Sequence, residues 1–509
     1  MSSAGFEHWL DSVHRWRWPL LLAILALRIG FLAFNGLDLI GDESYYWDWS
    51  RRPDWCYYSK PPMVAWLIGA STWSFGDTAW AVRLPAVLLG TGFLYYLHAT
   101  ARAFYGTRAA ALTLLLVLAT PNNVLANFLM TIDPPLYCFW IAAVYYLRRA
   151  VFDGHQRAWL WAGCATALAL LSKQAALLQP LALAVFLSAS AARRRHFRGD
   201  FWRYLAPVVL AAVPILVWND QHDWVMFGHS KSHFGNEGEF DAWRRLRDVR
   251  DFWFYQLLLL NPLMFVLTLA TALRGLSGFR QWDDERRFLW LMGPAWLLLI
   301  LALSFGQKVQ GNWPMPFYFT GLILVAGAAP APGRWLKAGL AVGLAMVLLT
   351  YALPAVLQAL NLQNSKLDPT KRFKQWRVLA ERIDTYRTES GSDRPVLVTV
   401  GHRFLASQLA FYLPDHPRVY RYEASGGVTS QYEVWPGPIE HLGRPAFLVA
   451  DIQAARFDKR WSDSLEGLTL LGEVADPAKP STKYYVYRAE KLKAWPAPLT
   501  LHQEGHASP

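Results

Sequence analysis

The sequence predicts a polytopic α-helical membrane protein that carries a small α/β domain outside the bilayer at its C-terminal end. Three observations predict it. Of 509 residues, 54% are hydrophobic and only 17% charged, below the roughly 25% of a soluble domain. Apolar runs of membrane-crossing character recur as far as about residue 356. Beyond about residue 360 charge rises and the apolar runs shorten. There PVLVTV (395–400), RVYRY (418–422), AFLVADI (446–452) and KYYVYRA (483–489) read as strands, while KRFKQWRVLAERIDTYR (371–387) has helical spacing. The net charge of +12 lies largely in short loops between apolar runs, which argues against nucleic acid as a partner. Cys56, Cys138 and Cys164 provide no metal or disulfide framework.

In chain order the expected spans are 18–35, 80–99, 109–127, 135–147, 158–171, 175–191, 204–218, 254–273, 288–304, 314–331 and 336–356, about eleven in all. The shorter ones need their ends extended into flanking polar turns to cross the bilayer. A basic patch from His14 to Arg17 precedes the first, without a small-residue cleavage motif, so an uncleaved span is expected. Arginine and lysine set the orientation. Arg102 and Arg108, then Arg148, Arg149 and Arg157, then Arg193, Arg194, Arg195 and Arg198, fall in alternate loops. Arg274, Arg280, Arg286 and Arg287, and finally Arg334 and Lys337, continue the alternation. That side is the cytoplasmic one. The other receives the outer loops 36–79 and 219–250 and the turns at Asp133, Lys173 and Lys308. The expected organisation is a membrane domain over 1–358 and a periplasmic α/β domain over 359–509. An Ala- and Arg-rich composition suits a bacterial inner membrane.

The first outer loop is the chemically dense one, reading GDESYYWDWSRRPDWCYYSKPPMVAW from Gly41. Its aromatic residues either seat it at the headgroup level or place Tyr45, Tyr46 and Tyr58 against a sugar. Asp42 and Glu43 emerge with the first span, where a carboxylate can act as general base on a hydroxyl; an N-cap is the alternative. Asp133, in FLMTIDPPLYCFW, is a second outer acid before a diproline. Lys60 precedes Pro61 and Pro62, Lys173 lies in ALLSKQAALLQP, and Lys308 in SFGQKVQGNWPMPFYF. Three ammonium groups at outer boundaries suit phosphate oxygens, or else snorkel to the interface. In the second outer loop, Lys231 and Arg250 suit an anionic headgroup, and His222 is a candidate substrate contact; a solvated connector is the alternative. His222, His229 and His233 match no standard zinc spacing, so a divalent metal is an option without an assigned ligand set.

The run DESYYWDWSRRPDWCYYSKPPMVAWLIG resembles the first outer loop of bacterial family 39 glycosyltransferases, a group within the GT-C superfamily that includes protein O-mannosyltransferases and the aminoarabinose transferase of lipid A. VRLPAVL (82–88), TIDPPLYCFW (131–140), LSKQAALLQP (171–180), PILVWNDQHDWVMF (214–227) and NWPMPFYF (312–319) fit the same pattern, in family order. The resemblance implies an inverting transferase that takes a sugar from a polyprenyl-phosphate donor to a lipid or glycan acceptor of the lipid A type. It implies that Asp42 is the base, Glu43 its supporting acid and Asp133 a shaper of the site. Lys60 and Lys173, with Lys308, would hold the donor phosphate. The chain departs from the aminoarabinose transferase at Ser59, where that relative has a glutamate linked to metal binding. A polyprenyl-sugar flippase and a ligase using a lipid diphosphate remain the alternatives.

Overall fold

The computed structural model describes residues 3–232, 241–328, 333–365, 368–373, 375–391 and 395–496. The fold is helical up to Ala359, followed by a small α/β domain. Each expected span falls on helical backbone, but the division into spans differs. Among the described residues, Arg17–Phe34, Ala79–Leu118, Asp200–Gln221, Asp284–Gly306 and Arg334–Ala359 are each long and apolar enough to cross a membrane. The bent pair Ala242–Leu260 and Pro262–Gly278 makes a sixth if counted as one span. The expected runs 135–147, 158–171, 175–191 and 314–331 fall on Asp133–Val151, Gln156–Ser172, Gln174–Ser188 and Met315–Gly327, helices that this length-and-composition count leaves out. The runs 80–99 and 109–127 lie on either side of a kink at Gly106 (φ 80°), which divides Ala79–Leu118 into two helices, a conformation in which a Cβ would be strained. The run 254–273 is cut at Asn261 (φ 78°), where the helices bend by 106°. Pro262 has no N–H to offer the preceding helix, and the Asn261 side chain caps the new one by accepting from Met264 N at 3.0 Å. Met315–Gly327 and Gln174–Ser188 are apolar but short. Residues 329–331 of one expected span, and 233–240 of the second outer loop with His233, lie outside the described residues.

All four expected strands join one five-stranded sheet. Its order is Val419–Tyr422, Val396–Val400, Ala446–Ala450, Lys479–Ala489, Thr469–Asp476. The first three are parallel and the last two antiparallel. Thr469–Asp476 was not expected as a strand: it is an edge, largely exposed, with its register broken between Leu470 and Gly472, so it lacks the alternation of a half-buried strand. Helices Trp376–Glu389 and Arg403–Tyr412 cover one face. Trp461 packs against the other.

The two parts share a core. The outer-loop helix Gly41–Ser50 buries Tyr45, Trp47 and Trp49 against Leu405, Leu409 and Phe411 of the α/β domain. Polar contacts fix the docking. Gln408 Nε2 donates to Leu39 O at 2.9 Å, and Leu39 N donates to Tyr412 Oη at 2.6 Å. Ser44 and Ser407 hydroxyls meet at 2.9 Å, and Tyr432 Oη donates to Asp48 Oδ2 at 2.8 Å. Gly41 is where the helices come closest: a Cβ there would lie 2.2 Å from Phe404 Cγ. We therefore expect Gly41→Ala to weaken the docking by about 1–3 kcal/mol, the range for overpacking. Limited proteolysis between residues 360 and 375 would read this as faster cleavage, and Phe404→Ala in the same chain should restore resistance. Unchanged resistance in Gly41→Ala alone would contradict the contact.

Candidate active site

The outer loop is held by an arginine from the middle of an apolar motif. Arg83, in VRLPAVL, lies on the helix Ala79–Leu118. Its Nε and Nη2 donate to the two oxygens of Glu43 at 2.8 and 2.7 Å. Nη1 and Nη2 also donate to Leu37 O and Asp38 O, at 3.0 and 2.7 Å. Glu43 accepts further bonds from Met130 N and Ile40 N, both at 3.1 Å. The two side chains are 1% and 0% exposed. Glu43, expected as the supporting acid of Asp42, thus has its oxygens occupied by a buried cation and two backbone donors, an arrangement that tethers the loop helix.

Asp42 is the neighbouring acid in the same first turn and is half-buried. The remaining site residues come from breaks in the helices. Asp133 opens the helix Asp133–Val151, where Pro134 and Pro135 occupy positions whose N–H groups would be unbonded anyway. Lys173 is the extended residue (φ −159°) between Gln156–Ser172 and the 3₁₀ turn Gln174–Leu177. Lys173 Nζ donates to Asp133 Oδ1 at 3.0 Å, and Asn312 Nδ2 donates to Asp133 Oδ2 at 2.6 Å. The acid and the lysine expected to act separately thus form one pair. Asn312, from NWPMPFYF, completes the arrangement.

Lys60 faces the same group. Its carbonyl accepts from Tyr57 N at 3.1 Å, and Pro61 and Pro62 hold the turn that presents it. Desolvation pushes its ammonium down to about 8, and the charge of Lys173 adds to the effect, while Asp133 and Asp42 oppose it. Asp42, Lys60, Asp133 and Lys173 therefore share one electrostatic neighbourhood. Tyr46 joins them: burial, with Asp42 and Asp133, raises its hydroxyl well above the ordinary range, so it stays a neutral phenol. If Lys60 holds an anionic donor, the sign of its pH dependence follows. It carries charge below a pH of about 8 and loses it above, so the donor KM should rise about tenfold from about pH 7 to about pH 9. Lys60→Arg should flatten that rise, and a flat profile in the unaltered protein would contradict the assignment.

Other candidates lie elsewhere. Lys308 and Lys231 are exposed. Arg250 is exposed and bonded to its neighbour Asp251 at 2.7 Å, a pair with little energetic weight. His222 stacks on Trp218 at 4.0 Å and bonds its carbonyl, while Trp218 Nε1 donates to Asp54 Oδ2 at 2.8 Å. None of these four makes a polar contact to Asp42, Lys60, Asp133 or Lys173 among the described residues. The Tyr45 hydroxyl accepts from Gln431 N at 2.5 Å, so it is committed to docking the α/β domain. Tyr58 packs its ring on His229 at 4.9 Å, and its N–H donates to Gln431 Oε1 at 2.6 Å. Residues 242–250, at the end of the second outer loop, are the first turns of Ala242–Leu260, started by Asp241 as N-cap. Among the described residues no three His, Cys, Asp or Glu side chains gather as a metal site.

A family model described as dolichyl-phosphate-mannose-protein mannosyltransferase matches residues 59–218. The lipid A galacturonosyltransferase RgtD of Rhizobium johnstonii (strain DSM 114642 / LMG 32736 / 3841) is 28% identical over 443 residues, 84% of this chain and 89% of the relative. Among solved structures, ArnT from Cupriavidus metallidurans in the apo state superposes with a TM-score of 0.64 at 16% identity, covering 94% of this chain and 99% of that one. The same protein bound to undecaprenyl phosphate gives 0.61 at 16%, covering 94% and 100%. At such identity the structural likeness speaks for the fold.

Proposed function

We propose that this chain is an inverting glycosyltransferase of the GT-C superfamily, using a polyprenyl-phosphate-linked sugar as donor. The acceptor class we propose is lipid A or a related periplasmic glycan, the class that the name of the relative from Rhizobium johnstonii contains. The convergence of Lys60 and the Lys173–Asp133 pair around the loop turn carrying Asp42 carries this reading. The lipid tail lies in the bilayer against the helices, and the sugar phosphate reaches the outer cluster. Asp42 takes the proton from the acceptor hydroxyl. The freed oxygen attacks the anomeric carbon from the face opposite the phosphate, and the bond from that carbon to the phosphate oxygen breaks. Lys60 and Lys173 offset the charge that develops on the departing lipid phosphate. Displacement from the opposite face inverts the anomeric centre. In this arrangement the protein sits in a bacterial inner membrane, with the site and the α/β domain toward the periplasm.

Mass spectrometry of envelope lipids and glycans from cells with and without the gene tests the reading. A glycan or lipid A species should lose one sugar increment when the gene is removed. Envelope profiles that match in the two strains would contradict it, as would movement of labelled lipid-linked sugar between leaflets without product.

A further inference from the structure

We propose that Arg403 of the α/β domain is a specificity-determining residue that pairs with a carboxylate on the transferred sugar, so that the donor carries an acidic sugar. The inference rests on the transferase reading above and deepens it by naming the substrate class.

Arg403 opens the helix Arg403–Tyr412 and directly precedes Phe404, whose ring fills the space in front of Gly41. The α/β domain thereby delivers a guanidinium to the turn that carries Asp42. Its Cζ lies 5.6 Å from the Tyr45 ring centre and 5.0 Å from that of Phe404, so aromatic faces hold the group in place. Its Nε is buried without a hydrogen-bond partner among the described residues. The contrast lies in the same domain. Arg421 is bonded to Glu433 at 2.7 Å and also to Glu423, Thr429 and Gly401 O, as a structural arginine should be. The charge of Arg403 acts on Lys60, Tyr46 and Tyr58, groups of the loop that carries Asp42, as well as on its neighbour His402.

The placement selects the anion. The donor's phosphate is tethered to the lipid and meets Lys60 and Lys173. Arg403 comes from the domain outside the helical bundle, next to the Phe404 that packs on Gly41, and the proposed reaction brings the sugar ring and its attacking acceptor to Asp42, the residue after Gly41. A planar guanidinium matches a carboxylate with two parallel bonds, which an ammonium does not do. An aminated sugar would set a third cation beside Arg403 and Lys60. An acidic sugar gives the guanidinium, whose Nε has no partner among the described residues, a carboxylate to pair with and is distinguished from a neutral hexose by a bond that only the carboxylate completes.

The test uses the full-length protein in lipid nanodiscs with two matched polyprenyl-phosphate donors, a hexuronic acid and the corresponding hexose. Arg403→Gln should lower kcat/KM for the acidic donor about 100-fold more than for the neutral one, the scale of a lost charge-assisted pair. Arg403→Lys should fall between. In a separate titration, hexuronic acid 1-phosphate should bind the unaltered protein at least about tenfold tighter than hexose 1-phosphate, and Arg403→Gln should erase the difference. Protease resistance of the docked α/β domain checks that the variants fold. Equal binding of the two sugar phosphates by the unaltered protein, or equal losses on both donors, would overturn the assignment. Transfer of both donors without preference would remove the Arg403 role and leave the transferase. A binding preference with no transfer of either donor would remove the transferase and leave the anion site.

Discussion

Asp42→Asn should abolish transfer while the protein still inserts and folds. Asparagine keeps the size of the side chain but does not accept the acceptor's proton. The expected drop in kcat is about 10²–10⁴-fold, the range for loss of a general base. Folding should change little. Asp42 is half-buried at a helix start, where a lost negative charge costs about 0.3–1 kcal/mol. The measurement is initial-rate transfer alongside thermal unfolding of the same preparation. Activity within a few-fold of the unaltered protein would remove Asp42 from the chemistry. A large fall in unfolding temperature would instead make it a structural residue of the helix's first turn.

Arg83→Met should have the largest effect on stability. It leaves Glu43 buried and charged, and deprives two carbonyls of their donor. Breaking a buried pair from one side costs about 3–5 kcal/mol, and here the loss falls on the loop that presents Asp42. Glu43→Gln separates the two roles that a buried carboxylate can have. As a tether, Glu43 should lose stability on substitution, with activity falling only as far as the loop loosens. As a base, it would lose activity with stability intact. Thermal unfolding and kcat measured on both variants decide between them.

The elements that the sequence made legible are those whose signal is local. Asp42, Asp133, Lys60 and Lys173 each sit at an abrupt change from apolar to polar sequence, next to proline or at a helix break, and the structure gathers them into one neighbourhood. Four strands of the α/β domain are runs of β-branched and aromatic residues that pattern alone identifies. What stayed hidden depends on partners far away in the chain. The role of Glu43 is set by Arg83, forty positions later. An ionisable residue within the apolar run VRLPAVL is a readable signal for Arg83. Arg403 lies in a soluble segment with no pattern to mark it, and only the docking of Phe404 on Gly41 brings it to the site. The break at Asn261 was hidden for a related reason, since a positive φ at one residue divides the run 254–273, whose composition is continuous.

The central claim is direct displacement at an outer-face cluster, and the anomeric outcome tests it most directly. Purified protein in nanodiscs would be given a polyprenyl-phosphate sugar of known anomeric configuration and a lipid A acceptor, and the product linkage read by nuclear magnetic resonance. The account predicts a single product of inverted configuration. A retained configuration, or no sugar transferred to any lipid or glycan acceptor, would contradict it.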